Sequence, residues 1–214
     1  MSARTAAPTR ARLRARLIAA AVVTVVLAGC GDKPAPDTTA PAGFKVVRNA
    51  PTGFALGIPQ DWIEIFLTQK LDEFDQRARA LTAGNDALIP AVNSARQIAQ
   101  SGGRFMAVSP DGQARVNLTV DNAREKTLDE LATAIIPVLE ENGATEVGQG
   151  RASTGAGEAL RLTFRFPLPG RGEERVIADE VQYYLIHDDQ TFVLTVINGG
   201  PDLAATIAGT LRLR

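Results

Sequence analysis

Two segments of the chain alternate strictly between apolar and polar residues, and this two-residue period restricts the fold more than any other feature. Ala114–Val120 reads ARVNLTV and Leu160–Phe166 reads LRLTFRF. A period of two places alternate side chains on opposite faces of a β-strand. This alternation is typical of antiparallel sheets whose two faces have different surroundings. The sequence therefore predicts an antiparallel sheet at the centre of the fold.

Less regular segments complete the predicted sheet. Thr191–Ile197 is apolar on both faces, which indicates a central strand covered on both sides. His187–Gln190 is a predicted turn before it, and the glycine-rich residues 148–157 are a predicted mobile hairpin connection. The remaining strands are predicted at residues 44–48, 54–58, 104–109, 145–149 and 174–186.

Helical periodicity appears in three places. Residues 68–102 carry apolar residues at three- and four-residue steps and predict two short helices, with Asn85 as a candidate cap and Pro90 in the first turn of the second. Thr127 and Glu130 have the spacing of a capping box for a third helix, and Asp202 is the predicted cap of a last short one. Strands and helices together predict an α+β fold in which helices pack on the faces of an antiparallel sheet.

The amino terminus has the three parts of a secretory signal. Five arginines without an acid precede an apolar run, Leu17–Gly29, that is too short for a membrane span. Leu27, Ala28 and Gly29 then precede Cys30, the only cysteine of the chain, and LAGC resembles the bacterial lipobox. Residues 1–29 are therefore predicted to be a cleaved signal peptide. Cys30 is the predicted lipidation site, which would anchor the protein to the outer face of the cell membrane.

Residues 30–43 are a predicted flexible tether, because they contain three prolines and no large apolar residue. The folded domain is expected at residues 44–214. Loss of residues 1–29 removes five basic residues and no acid, which leaves 18 basic and 24 acidic residues, a net charge of −6. An acidic domain without a basic stripe does not favour nucleic acid as a partner.

Few residues in the sequence are suited to catalysis. His187 is the only histidine, and it lies with Asp188 and Asp189 in a predicted exposed turn. Adjacent carboxylates such as Asp179 and Glu180 are interpreted as surface charge. Cysteine-based zinc sites are excluded by the single cysteine, and no nucleophile motif or dinucleotide loop is present. The sequence therefore predicts no enzyme, no metal and no cofactor.

The segment Gly53–Pro59 followed by Trp62, with the order of elements after it, resembles the Mog/PsbP-like fold, an αβα sandwich. Together with the lipobox it is similar to the LpqN-like lipoproteins. The resemblance implies an antiparallel sheet with helices on its faces and a binding or accessory role in the cell envelope, and it supplies no catalytic motif.

Two functions remain open at this point. The first is a non-enzymatic module that binds another envelope protein, and the second is a carrier of a small apolar or lipidic ligand held between sheet and helices. Besides a core role, a ligand-facing role is considered for the following residues: Trp62, Leu71, Phe74, Tyr183 and Tyr184.

Overall fold

A computed structural model describes residues 36–65, 67, 71–125, 127–169 and 175–214. The predicted signal peptide, the lipobox residues Leu27, Ala28 and Gly29, and Cys30 lie outside the described residues. Among the described residues, no helix has the length and apolar character needed to cross a membrane.

Seven strands form the main sheet, and all their pairings are antiparallel. Across the sheet they follow the order β3, β4, β5, β9, β8, β7, β6. Their bounds are β3 (Ile63–Ile65), β4 (Gly103–Val108), β5 (Arg115–Asn122), β6 (Thr145–Thr154), β7 (Gly157–Pro169), β8 (Arg175–His187) and β9 (Gln190–Ile197).

A smaller sheet of three strands packs against the first. It consists of β1 (Phe44–Asn49), β2 (Phe54–Pro59) and β10 (Arg212–Leu213), with β2 in the middle. Four helices complete the described fold: α1 (Leu71–Thr82), α2 (Ile89–Gln100), α3 (Leu128–Glu141) and α4 (Gly200–Thr210). A single 3-10 turn, Asp86–Leu88, precedes α2. The predicted α+β class with antiparallel sheets is confirmed.

The position of β9 explains its composition. It lies between β5 and β8, and it is buried along nearly its whole length, as its apolar character on both faces predicted. On one face of the main sheet, its side chains meet the small sheet and α4 in one apolar core. That core includes Phe54, Leu56, Phe192, Leu194 and Ile207.

The other face of the main sheet carries the remaining three helices in two separate groups. Helices α1 and α2 pack over β3 and β4, where Phe74 and Val92 meet Met106. Helix α3 packs over β7 and β8, where Leu131 meets Leu162. The central strands β5 and β9 lie between these two apolar clusters.

Helix ends follow the predicted signals only in part. Thr127 and Glu130 form both hydrogen bonds of the capping box, and Pro90 lies in the first turn of α2, as predicted. The prediction for Asp202 is wrong, because the cap of α4 is Gly199 and Asp202 lies inside the first turn. Asn85 makes no side-chain capping bond to the turn that it precedes.

The glycine-rich stretch before β7 is not a long connection. Gly148 and Gly150 lie within β6, which continues to Thr154 and pairs with β7 almost from its start. A Cβ atom on Gly148 would lie 2.8 Å from Oγ1 of Thr163, closer than real Cβ contacts allow. A side chain at position 148 would therefore displace the Thr163 hydroxyl, and the sequence alone did not distinguish this strand position from a flexible loop.

Ordered packing begins before Phe44, inside the predicted tether. Thr38 is buried, with 9% of its surface exposed, and its hydroxyl donates a hydrogen bond of 2.8 Å to the carbonyl of Thr210 at the end of α4. The Thr210 hydroxyl in turn accepts a 2.7 Å bond from the amide of Gly57 on β2. The segment around Thr38 therefore joins a buried polar contact between α4 and the small sheet.

We expect Thr38→Val to lower the free energy of unfolding by about 1 kcal/mol, because it leaves a buried carbonyl without its donor. Urea unfolding of the variant beside Thr39→Val measures this effect. Thr39 is the exposed neighbour and serves as the matched control. Equal unfolding midpoints for the two variants would show that the Thr38 contact contributes nothing to stability.

Candidate ligand-binding site

Two charged residues lie buried on the helix-bearing face of the main sheet. Arg115 on β5 and Glu180 on β8 are both register partners of Ile197 on β9, one from each side. Directly paired residues of antiparallel strands share a face, so both side chains project toward the space between α2 and α3. Arg115 is 9% exposed and Glu180 is 6% exposed. Charged residues are almost never buried to this extent unless they are paired.

More polar residues lie beside this pair on the same three strands. Asn117 on β5 and Gln182 on β8 are both register partners of Thr195 on β9. Tyr184 follows on β8, on the same face. We call these residues the polar strip: Arg115, Asn117, Glu180, Gln182, Tyr184 and Thr195. The strip separates the apolar cluster under α2 from the apolar cluster under α3.

Hydrogen bonds connect one half of the polar strip. Gln182 Nε2 donates to Glu180 Oε2 at 3.3 Å, and the Tyr184 hydroxyl donates to Gln182 Oε1. On the other half, Arg115 Nη1 donates to Ser94 Oγ of α2 at 3.0 Å. Arg115 Nε is buried and has no hydrogen-bond partner. Arg115 and Glu180 form no ion pair within 4.0 Å of each other.

Burial changes the acid–base properties of the strip. It raises the pKa of the Glu180 carboxyl to about 7, against the opposing effects of the Arg115 charge and the Gln182 hydrogen bond. Burial also lowers the pKa of Arg115, although a guanidinium stays protonated in proteins. The pKa of Tyr184 is raised by burial and by the nearby Glu180 carboxylate. The strip is therefore more positive below neutral pH than above it.

A recess of about 230 Å³ opens at the Arg115 end of the strip. It lies between the start of α2, the β4–β5 turn and the paired ends of β7 and β8. We call it the Arg115 recess, and its lining includes Pro90, Gln113, Arg115, Leu168, Val176 and Ile197. Val176 in the lining is 51% exposed, so an aliphatic side chain faces solvent at the mouth of the recess.

A larger depression of about 620 Å³ lies on the opposite side of β7 and β8, next to the start of α4. Its charged side chains neutralise one another. Arg165 Nη1 lies 3.2 Å from Glu146 Oε1, and Arg165 Nε lies 3.6 Å from Asp179 Oδ1. All three side chains are about half exposed or more, so their pairing contributes little selectivity. This depression is a weaker candidate than the Arg115 recess.

The residues singled out from the sequence lie in different parts of the fold. Trp62 and Tyr183 are buried in the core between the two sheets, and Phe74 is buried between the helices α1, α2 and the main sheet. Leu71 begins α1, and its side chain lies outside the described part. Tyr184, on the opposite face of β8 from Tyr183, contacts the α3 cluster and belongs to the polar strip.

The interpretation of Asp179 and Glu180 as surface charge is wrong for Glu180. Their side chains point to opposite faces, as adjacent strand residues must, and Asp179 is indeed exposed. Glu180 is buried because β8 is covered on both faces. One feature of the sequence could have indicated buried polar residues on this face of the sheet, namely the polar face of the strand Ala114–Val120. Arg115 and Asn117 lie on a strand that pairs with the central strand, where a solvent-facing position is unexpected.

His187 is less exposed than its predicted turn implied. Asp188 and Asp189 form the two-residue turn between β8 and β9 with positive φ angles of 47° and 59°. The imidazole at the end of β8 packs edge-on against Phe192, and its Nε2 lies 3.7 Å from Asp188 Oδ2. Within the described part of the chain, no group of three or more His, Cys, Asp or Glu residues could hold a metal ion.

Comparison with protein-family models gives no match, and comparison with curated proteins gives none either. Solved structures do match. The cyanobacterial PsbP, CyanoP, of Synechocystis sp. PCC 6803 has 10% identity and a TM-score of 0.47, over 84% of this chain and 98% of CyanoP. LpqN of Mycobacterium tuberculosis, described as involved in cell envelope biogenesis, has 8% identity and a TM-score of 0.36, over 87% of both chains.

A third similar structure is a protein of Bacteroides thetaiotaomicron with 14% identity and a TM-score of 0.42. The match covers 75% of this chain and 45% of that protein. The LpqN-like and PsbP-like proteins that the sequence resembles are thus both found among the similar structures.

We expect Glu180→Gln to remove a pH dependence of stability. Because the folded-state pKa is raised from 4.5 to about 7, the folded protein holds its proton at pH values where the unfolded chain has lost it. Stability that Glu180 contributes below pH 4.5 is then lost as the pH rises to about 7, by about 3 kcal/mol in total. Urea unfolding between pH 4 and pH 8 should show this decline in the natural protein and not in the variant.

Asp179→Asn is the matched control for this experiment, because it neutralises the exposed neighbouring carboxyl on the same strand. It should keep the decline of the natural protein. A decline of equal size in Glu180→Gln and Asp179→Asn would mean that the buried carboxyl is not its source.

Proposed function

We propose that this chain is an exported lipoprotein, anchored to the membrane through Cys30, whose folded domain is a non-enzymatic binding module of the cell envelope. The signal-peptide pattern and the lipobox residues support export and anchoring. The domain would then act at the outer face of the membrane, as an accessory to another envelope component.

The observation that carries the binding role is the Arg115 recess. The buried Arg115, whose Nε has no hydrogen-bond partner, lines the recess, and the exposed aliphatic side chain of Val176 lies at its mouth. Concave sites with apolar walls and one or two placed polar groups are the usual form of a binding site. Burial of an unpaired charged donor costs stability, so its retention in a well-packed sheet favours a functional role.

The surroundings of His187, the only histidine of the chain, do not favour catalysis. Nucleophilic catalysis needs a nucleophile within hydrogen-bond reach of a base that a third group orients. His187 lies at the turn between β8 and β9, where Phe192 and Asp188 are its closest aromatic and charged contacts. In the described residues its Nε2 is buried and accepts no hydrogen bond from a hydroxyl.

A second candidate function, a carrier of a small ligand between sheet and helices, is favoured by the position of the same recess. Its lining joins α2 to the main sheet, which is the location expected for such a carrier. The volume of about 230 Å³ limits the cargo to a small molecule or to a short segment of a larger one. The apolar residues Phe74, Leu88 and Val92 are part of a packed core. They do not line the Arg115 recess.

We expect Cys30→Ala to abolish membrane anchoring, because the thioether on Cys30 is the proposed attachment of the diacylglyceryl group. The natural protein should enter the detergent phase in a phase-partition experiment and carry the added mass of the lipid, and the variant should do neither. Equal partitioning and equal masses for both proteins would contradict the anchoring proposal.

Native mass spectrometry of the protein isolated from its producing organism tests the carrier function. We expect a retained small molecule that is released on denaturation, because the recess is open to solvent and Arg115 in its lining makes no ion pair with a described residue. A mass that corresponds to the polypeptide and its anchor alone would contradict the carrier function. The binding-module function would still stand.

A further inference from the structure

The guanidinium of Arg115 has donors that the fold does not satisfy. Arginine carries five N–H donors, and the hydrogen bond from Nη1 to Ser94 uses one of them. Nε has no partner, although it is shielded from solvent and the residue as a whole is more than nine-tenths buried. Most buried polar atoms in native structures are hydrogen-bonded, so an orphaned charged donor needs an explanation.

The carboxyl on the other side of Ile197 does not supply that partner. Glu180 makes no ion pair with Arg115 within 4.0 Å, and its Oε2 accepts a hydrogen bond from Gln182 instead. Ser94 is neutral and does not compensate the positive charge. Among the described residues, the Arg115 end of the strip is therefore a buried cationic site without an anion in direct contact, and the Glu180 carboxyl acts on it only at longer range.

Part of the wall around this cation is aliphatic. Leu168 and Val176 come from the ends of β7 and β8, Pro90 comes from α2, and Ile197 forms part of the floor. None of the described residues that line the recess is acidic. Asn198 is held by two hydrogen bonds within the fold, one from the Asp179 amide and one to the Gln113 carbonyl. A ligand here meets one cation, aliphatic side chains and the polar residues Gln113 and Asn198.

We propose that the Arg115 recess binds a small aliphatic carboxylate, with its anionic group beside the Arg115 guanidinium and its chain along Leu168, Val176 and Ile197. This inference rests on the carrier function proposed above and names the ligand class of that site. A planar carboxylate matches the geometry of a guanidinium, which can donate two parallel hydrogen bonds to it.

Other anions fit the recess less well. A phosphate dianion requires more than one cation or several amide donors, whereas Arg115 is the only cationic residue among the described residues of the lining. A lipid with two long chains exceeds a volume of about 230 Å³. A single short chain with a terminal carboxylate satisfies both the charge and the volume.

The test is a titration of the full-length protein, in nonionic detergent, with hexanoate. The Arg115 Nε–H signal in a nitrogen-15 NMR spectrum is the readout, and it is assigned by its disappearance in Arg115→Lys. We expect a saturable shift with a Kd of about 0.1–1 mM, as eight non-hydrogen atoms allow. Hexanol lacks the carboxylate, and acetate lacks most of the aliphatic chain. Each should bind at least about tenfold more weakly than hexanoate.

Val176→Glu tests the site without a change in the core, because Val176 is 51% exposed. A carboxylate at the mouth of the recess repels the ligand, so we expect at least about a tenfold weaker affinity for hexanoate. Val138→Glu is the matched control. Val138 is a valine of α3 with 53% exposure, and its substitution should leave the affinity unchanged.

Three outcomes would overturn the proposal: no saturable shift with hexanoate, equal affinities for hexanoate and hexanol, or equal affinities in folded Val176→Glu and Val138→Glu. Tighter binding of the tripeptide Gly-Gly-Leu than of hexanoate would also overturn it, in favour of a peptide carboxyl terminus. A retained molecule without a carboxylate in the native mass spectrum would contradict this ligand class and leave the carrier function standing.

Discussion

The burial of nearly all of a central antiparallel strand is the constraint on which the rest of this structure depends. Strand β9 pairs with β5 and β8, and both of its faces are withdrawn from water. On one face the small sheet and α4 cover Phe192, Leu194 and Val196 with apolar side chains. On the other face the covering helices α2 and α3 pack over the outer strands. The middle of that face is therefore buried without being filled by one apolar core.

The polar strip occupies this middle, and it makes the two faces of the sheet chemically different. Arg115 and Glu180 lie there two strands apart, in surroundings where an unpaired charge is costly. A sequence selected only for stability would place aliphatic residues at both positions. The burial of a cation and an acid that do not pair with each other is the kind of local cost that proteins retain at functional sites. It is also the reason why the Arg115 recess, rather than the larger and self-neutralised depression beside α4, is the better candidate site.

Much of the fold could be predicted from the chain because its signals are local. Alternation identified β5 and β7, and the all-apolar Thr191–Ile197 was correctly assigned to the centre of the sheet. The capping box at Thr127 was also correct, because both of its hydrogen bonds join residues three apart. Distant contacts left no signal in the sequence. Gly148 faces Thr163 across a strand pair, and Thr38 is hydrogen-bonded to Thr210, which is 172 residues away in sequence.

By itself, the sequence determined the antiparallel α+β fold and the scarcity of catalytic side chains, and it carries the signal-peptide and lipobox pattern on which the anchoring proposal rests. Composition and short-range periodicity suffice for these properties. Only the tertiary structure decided which polar residues are buried. Arg115, Glu180 and Gln182 look like solvent-facing strand positions in the sequence, and Asp179 looks the same as Glu180 beside it. Their difference arises from strand order and from where α2 and α3 pack, because burial depends on what covers a strand face and not on the residues of the strand itself.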